Sequence, residues 1–559
     1  MTVDKPRGLS RRSFVKYAAV GGLAALGGYS ALVYPSGLKK FIEYGQKPWE
    51  VALGVVDYRL VKDREGALDV RGVPEFYRTG PDDRRRLNVA QWYDYWPGAV
   101  INNFTAYMQE MFGLGGCEVV WTSNIYTSNE ELFTWVSQTG RKFDVMVPTN
   151  YTVETMEKAG LIVNLNREWL PNYKCIFGPT PSDTSDITNW RGPAPARKYD
   201  SNYGAVPSYP DYAGYNNEKR FDFRTPDLNE YQYRSSPLTY PTPRGTEFFT
   251  WDDQNGLLAV PYQWGTTGIG YRSDIFRPAD IEQLGWDVLE LPSYTNPDYR
   301  DPITGQVGPR TFDLTKKKMM LDDMREVFTA ALKDVGWKKQ IEGNMTPTAQ
   351  VRMQGEFQWS SNEKDDDKLL DAQAWLLSWR DTSWGFNTPQ QGPWLVSQER
   401  YVNQAWSGDI MYAVRPNSSQ FVPVDYFVPK QGGARWIDNL VVHRECEKLW
   451  LSHQFINYIQ DPGVQADISA WNLYASPNAW SFDIMNKDRQ TFDFAGQYKD
   501  GSPYRWNPTE DKRIYADFAV GYGDDPVAEP PILNRCEYQK DVGVSSTLRY
   551  FRYWRDVKF

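Results

Sequence analysis

Between residues 117 and 160 short apolar runs alternate with amphipathic helical stretches, and this alternation constrains the fold more than any other feature of the chain. "CEVVW" (117–121) reads as a buried strand. "SNEELFTWVSQTG" (128–140) reads as a helix, with Ser128 and Glu131 in capping-box spacing and Gly140 as its stop. "FDVMVP" (143–148) is a second strand and "TVETMEKAG" (152–160) a short helix. Strands alternating with helices predict an α/β sheet. A chain of 559 residues has room for two large domains. Residues 166–255 break the rhythm: they are rich in Pro, Tyr, Asn and Asp and predict a long surface insertion. "GLLAVPYQWGTTGIGY" (256–271) restarts regular structure. "LDDMREVFTAALKDVG" (321–336) predicts a helix capped by Asp323, with Glu326 at the third position, Val327, Ala331 and Val335 on one face, and Gly336 at its end. A second irregular stretch is expected from about 338 to 400, and no internal repeat stands out.

The N-terminus predicts export. "SRRSFVK" (10–16) precedes the uncharged, Gly- and Ala-rich run "YAAVGGLAALGGYSALVY" (17–34). Arg11, Arg12, Phe14 and Lys16 match the spacing of a twin-arginine (Tat) signal. No clean A-x-A cleavage site follows, so the apolar run is also a candidate membrane anchor. The formal net charge of −9 disfavours a nucleic-acid partner, suits a cationic one, and is explained as well by solubility. Cys117, Cys175, Cys446 and Cys536 are too scattered for a CxxC metal or redox motif, and their pairing cannot be read from spacing. With only His443 and His453, HExxH zinc chemistry is excluded. No Walker A sequence occurs, and "GIG" (268–270) lacks the third glycine of a dinucleotide loop.

Trp and Asp recur as close neighbours in "QWYDYW" (91–96), "WSGD" (406–409) and "WID" (436–438). Ring faces attract an ammonium group and carboxylates pair with it, so such pairs suit a cage for an organic cation. With 23 Trp and 71 Asp or Glu, chance also produces such pairs, so the pattern needs support from elsewhere. On a strand Trp92 and Asp94 would point to one side, as would Trp436 and Asp438. Tyr151, Glu326, Trp406 and Asp409 are further candidates. Each has a plainer reading: the tryptophans as core or rim aromatics, Glu326 as half of a capping box, Asp409 as the holder of a turn after Gly408.

The order of motifs decides between these readings. "QWYDYW", "FDVMVPTNYTVETMEKAGLI", "AVPYQWGTTGIGY", "LDDMREVF", "WSGDIMYAVR", "GGARWIDNL", "FINYIQDPGVQA" and "YQKDVG" occur along the chain as they do in the spermidine/putrescine-binding proteins, the extracytoplasmic receptors of ABC importers, which the chain resembles. The resemblance implies a two-lobed α/β periplasmic-binding-protein fold of type II, with a crossover hinge and long irregular insertions. It implies lobe 1 over 85–262, with the insertion 166–255 and chain returning at about 437–485, and lobe 2 over 263–436 with the insertion at about 338–400. The segment 1–40 is then the signal, 41–84 an N-terminal extension, and 486–559 a segment packing on both lobes. The ligand cage falls on Trp92, Asp94, Tyr95, Tyr151, Asp323, Glu326, Trp406, Asp409, Trp436, Asp438 and Gln539. The implied function is reversible capture of a polyamine by a monomer, without catalysis, metal or cofactor, for delivery to a permease and its ATPase. In the family the position of Asp409 is acidic in putrescine-type receptors. The insertions and Arg435, a cation beside the expected cage, depart from the pattern. Rival readings are a receptor for an amino acid, a sugar or another cation, a glycoside hydrolase with an acid pair, and a cell-surface scaffold.

Overall fold

The computed structural model describes residues 65–166, 169–170, 172–173, 251–252, 256–301, 303–343, 359–414, 423–477, 494–497, 503–506 and 536–559. The signal, the extension up to residue 64, Cys175 and nearly all of 166–255 lie outside the described residues. Among those described, no helix is long and apolar enough to cross a membrane.

Lobe 1 is built on a parallel sheet. Strand β1 (Arg86–Trp92) pairs with β2 (Glu118–Val120), β3 (Ile125–Tyr126) and β4 (Val145–Met146), all parallel. Helices α1 (Phe104–Phe112), α2 (Asn129–Ser137) and α3 (Asn150–Lys158) connect these strands, and β5 (Ile162–Val163) follows. Ser128 caps α2 by accepting from the Glu131 amide at 3.2 Å, and Glu131 reaches back to the Thr127 amide at 3.0 Å. The stretch 117–121 is not a buried strand. Only three residues form β2 at the sheet edge, where Glu118 is exposed and Val119 and Val120 are half-buried.

Two long strands join the lobes. In β6 (Val260–Arg272) every residue is buried, and the same is true of β11 (Gly433–His443), two continuous apolar-rich runs of the kind covered on both faces. They pair antiparallel from Ala434↔Thr267 to Leu440↔Val260. Beyond this shared region β11 continues into lobe 1, with Val442 opposite Val145 and Val163. The far half of β6 continues into lobe 2, pairing with β9 (Val402–Trp406) and β10 (Val424–Phe427), and β9 joins β7 (Lys318–Met320) and β8 (Gly385–Phe386). The chain therefore crosses between lobes within one mixed sheet; one apolar cluster fills lobe 1 and reaches into lobe 2 at Ala405, Ile410 and Val424, and a second fills the rest of lobe 2. Close packing here demands glycine. A Cβ on Gly268 would collide with the Phe427 carbonyl oxygen, a backbone atom that cannot step aside. Gly268→Val is expected to destabilise the protein by about 1–3 kcal/mol or more, the usual cost of overpacking, read from denaturant melts.

Lobe 2 corrects two expectations. Helix α4 (Met324–Glu342) does not stop at Gly336 but runs six residues further. A mid-helix glycine costs about 1 kcal/mol relative to alanine, but here a Cβ would strike the Trp359 ring, so the bare position lets Trp359 pack. Nor is the stretch 338–400 irregular throughout. Residues 344–358 lie outside the described set, but α5 (Asp366–Thr382) is a 17-residue helix capped by Asp365, with Leu369, Ala372, Leu376 and Trp379 on its buried face. After β9, helix α6 (Ser407–Val414) follows without a loop. Helices α7 (Leu449–Ile459) and α8 (Pro462–Asn472) return to lobe 1.

The ends of the described chain finish the fold. Glu65 is buried and accepts from the Tyr77 hydroxyl at 2.9 Å and from the Trp450 amide at 3.1 Å, which ties residues 65–80 to the start of α7. Strand β12 (Cys536–Tyr538) pairs parallel with β11, and α9 (Val544–Lys558) packs on α4 and α5. Residues 537–541 touch both lobes. Asp541 meets Lys158 at 2.7 Å, Lys333 meets Glu537 at 2.6 Å, and Arg325 donates to the Lys540 carbonyl at 3.1 Å.

Candidate functional site

All eleven residues singled out in the sequence line one cavity between the lobes, of roughly 710 Å³ counting the open solvent at its mouth. That is within the usual size for a small-molecule site. Lobe 1 supplies Trp92, Asp94 and Tyr95 from the end of β1 and Tyr151 from α3. Lobe 2 supplies Asp323 and Glu326 from the start of α4, Trp406 from the end of β9 and Asp409 from the first turn of α6. The crossing strand β11 supplies Trp436 and Asp438, and Gln539 follows β12.

The route by which Asp94 arrives differs from the sequence reading. Strand β1 ends at Trp92, so alternation does not carry Asp94 to the same side. A turn does, with Asp94 in the left-handed region at φ 50°. Asp409 is likewise in a helix rather than a tight turn. Arg435 is on β11 and faces away from Trp436: it is 2% exposed, with its guanidinium 4.1 Å from the Tyr538 ring centre. Arg435 therefore adds no positive charge to the cavity wall. Among the cavity's described lining residues are five carboxylates and no Lys, Arg or His.

The rings form a continuous edge-to-face chain across the cleft. Trp92 and Trp406 are 5.8 Å apart between centres, Trp406 and Trp436 6.3 Å, Trp436 and Tyr474 5.2 Å, and Tyr474 and Tyr95 5.5 Å. Trp92 is fixed by donating its indole N–H to the Val147 carbonyl at 2.9 Å.

The carboxylates are held in two groups. Asp438 accepts from the Tyr95 hydroxyl and from the Thr149 hydroxyl, each at 2.6 Å. Burial nevertheless pushes its carboxyl up to about 7, the two hydrogen bonds opposing. Asp409 accepts from the Tyr474 hydroxyl; burial raises it to about 6, and the nearby Asp94 adds to the rise. Asp94, at the mouth, is raised by its partial burial. The second group lies at the start of α4. Asp323 caps the helix through the Glu326 amide at 3.1 Å, and burial raises it. Glu326 is pushed up to about 8, first by burial and then by Asp323, and one of its oxygens is buried with no partner in the protein. Its role as half of a capping box is thus limited to its backbone; its side chain faces the cavity.

Such a site can do one thing well. Five carboxylates on a wall that also carries rings suit an organic cation with an alkyl stem, although the buried Arg325 lies behind the second group, 5.2 Å from the Tyr151 ring centre, and lowers Asp323 and Glu326.

Comparison with known proteins supplies the frame. No family model matches the chain. Among curated relatives, the spermidine/putrescine-binding periplasmic protein of Escherichia coli K12 is 20% identical, over 85% of this chain and 92% of the relative. The putrescine/cadaverine-binding protein of Pseudomonas aeruginosa PAO1 is 21% identical, over 73% of this chain and 83% of the relative. Among solved structures, a putative spermidine/putrescine ABC transporter from Listeria monocytogenes superposes with a TM-score of 0.52 at 19% identity, covering 85% of this chain and 99% of that one. This chain has the periplasmic binding protein fold. The cavity described above lies between the two lobes of that fold.

Several residues that line the cavity or brace its wall escaped the sequence reading. Tyr474 is the largest omission: it follows the left-handed cap of α8 at Leu473, far from any Trp–Asp pair. Thr149 and Asn129 set the Asp438 end, the Asn129 amide donating to the Thr149 hydroxyl at 3.0 Å. Thr388 and Gln391 come from the stretch expected to be irregular. For Asn129 and Thr149 a signal was present, since both flank quoted strand–helix junctions. For Tyr474 and Gln391 there was none.

Proposed function

We propose that the protein captures a linear polyamine outside the cytoplasm and presents it to the permease of an ABC importer. The observation that carries this reading is the lining of the cleft: five carboxylates, a file of five rings and no basic side chain among the described residues. The names of the curated relatives support it. The role is capture and release, with no reaction on the solute. An amino acid would bring a carboxylate to a wall of carboxylates; Arg435 faces elsewhere, and the guanidinium of Arg325 is taken up by the Lys540 and Ser361 carbonyls and the Asn362 side chain. Periplasmic or cell-surface placement rests on the Arg11–Arg12 signal and on the periplasmic relatives. Closure of the lobes excludes water and strengthens each ion pair. Bound ammonium ends contribute through cation–π contacts, about 2 kcal/mol each when desolvated, and through charged hydrogen bonds, about 1.5–3 kcal/mol each.

A thermal-shift panel tests the reading. Putrescine and spermidine should raise the melting temperature, by about 2.7 kcal/mol of stabilisation at a hundred times Kd, and amino acids and sugars should not. A response to a sugar alone would sink it.

Asp409 sets the choice among polyamines. Its position at the head of α6, beside Asp94, supplies charge to one end of a short diamine. Putrescine is expected to bind at least as well as spermidine. Asp409→Ser should weaken putrescine more than spermidine, since a triamine keeps the acids of α4. Calorimetric titration of both ligands against both proteins reads this directly, and equal losses would assign length selection elsewhere.

A further inference from the structure

One cation stands behind the cleft wall. Arg325 is in the first turn of α4, between Asp323 and Glu326 in sequence, the two cavity-lining acids at the start of that helix. It is 3% exposed. Its guanidinium donates to the Ser361 carbonyl at 3.0 Å, the Asn362 side-chain oxygen at 2.8 Å and the Lys540 carbonyl at 3.1 Å. All three acceptors are neutral, and Nε has none. Two rings flank it, Tyr151 of lobe 1 at 5.2 Å and Tyr550 of α9 at 5.3 Å from their centres. Acceptors from two segments and rings from two helices hold the group in place, so it cannot swing aside when a second cation arrives.

A guanidinium keeps its proton in a protein, and a buried charge needs a counter-charge. None of the contacts above is a carboxylate, so the charge of Arg325 is met at longer range. It lowers the carboxyls of Asp323 and Glu326, and that of Glu130 in the first turn of α2, against the larger rise that burial gives each. Among the described residues no cation acts in this way on Asp94, Asp409 or Asp438. The two acid groups of the cleft therefore differ. One meets an incoming ammonium with carboxylates alone, the other with a counter-charge already present. A fixed positive charge weakens the attraction for any cation placed near it, and salt screens a buried charge little. Resting on the polyamine reading above, we propose that Arg325 is a second determinant of ligand length, acting at the opposite acid group from Asp409: as a built-in cation it takes the electrostatic place of a third ammonium at the α4 acids, so the cleft favours diamines over triamines.

Arg325→Gln removes the charge and keeps an amide donor for the neighbouring carbonyls. Calorimetric titration of the full chain with putrescine and with spermidine should show the preference moving toward spermidine by roughly tenfold or more in this variant. Arg325→Lys keeps the charge and loses the fork of bonds. It should lower stability and leave the preference within roughly threefold of the unaltered protein. A preference unmoved in Arg325→Gln overturns the inference. So does a preference moved as far in Arg325→Lys, because packing and not charge would then be the cause. A measurement on the unaltered protein is independent of how the variants fold. N-butylputrescine is spermidine with the terminal ammonium of its aminopropyl arm replaced by a methyl group. Spermidine should bind at most roughly tenfold tighter than this isostere. A larger advantage would show that the α4 acids accept a full cation, and would overturn the inference while leaving the polyamine reading standing. Binding of none of the three amines removes that reading, and this one with it.

Discussion

Asp438→Asn lowers polyamine affinity by ten- to a hundredfold or more while leaving the empty protein at least as stable. The two expectations share one cause. Asp438 is 4% exposed and receives two hydroxyl hydrogen bonds, yet burial still holds its carboxyl near 7, so the empty protein bears a cost for the charge. An amide at this position spares that cost. It also removes a charged partner from the ammonium, a loss of about 1.5–3 kcal/mol, or about ten- to a hundredfold in Kd. Trp436→Ala, by contrast, opens a hole in the ring chain and costs both affinity and stability. Titration calorimetry and melting of the two variants separate these effects. A lowered melting temperature with unchanged affinity in Asp438→Asn would make Asp438 a structural acid.

Polyamine affinity falls at least about a hundredfold between pH 8 and pH 5, and the stability of the empty protein moves the other way. The carboxyls of Asp409, Asp438 and Glu326 stand near 6, 7 and 8 in the empty cleft, all raised by burial. A raised carboxyl keeps its proton longer in the folded chain than in the unfolded one. Between about pH 4 and 8 the folded, empty protein therefore holds more protons, and its stability falls as pH rises through that window. The cation binds the ionised forms. At pH 5, two pH steps below its value of about 7, ionising Asp438 alone takes about a hundredfold out of the association constant. Thermal shifts on ligand addition should accordingly grow from pH 5 to pH 8, with protons released to the buffer at pH 6. An affinity flat across this range would show that these acids do not meet the ligand.

The α/β character was legible because strand–helix alternation and capping are local. Ser128 and Asp323 announce their helices within four residues. Helix α5 was equally legible in Asp365 and the spacing of Leu369, Ala372, Leu376 and Trp379, and was obscured by the charged, uneven sequence around it. Gly336 misled because a close-packed ring, a tertiary fact, outweighs helix propensity. At the site, Trp92, Trp406 and Trp436 with their acids had a pattern, but chance gives the same pattern. Only the order of motifs along the chain joined segments more than 300 residues apart. Tyr474 and Gln391 had no such company, since what makes them part of the cleft is the path of α8 and of the loop before β9. Asp94 lines the cavity by a route other than the one read from the sequence, because strand alternation says nothing of a left-handed turn.

The stretch 536–558 has a consequence for the order of events during synthesis. Strand β12 completes the pairing of β11, Gln539 completes the cavity wall, and α9 covers α4 and α5. These residues follow every other described element, so synthesis makes β11, α4 and α5 before them. Until then α4 and α5 have an uncovered flank, Lys333 lacks Glu537, and the cleft stands open along one side. The wall of the cavity is completed only when this segment docks on the sheet and helices already made.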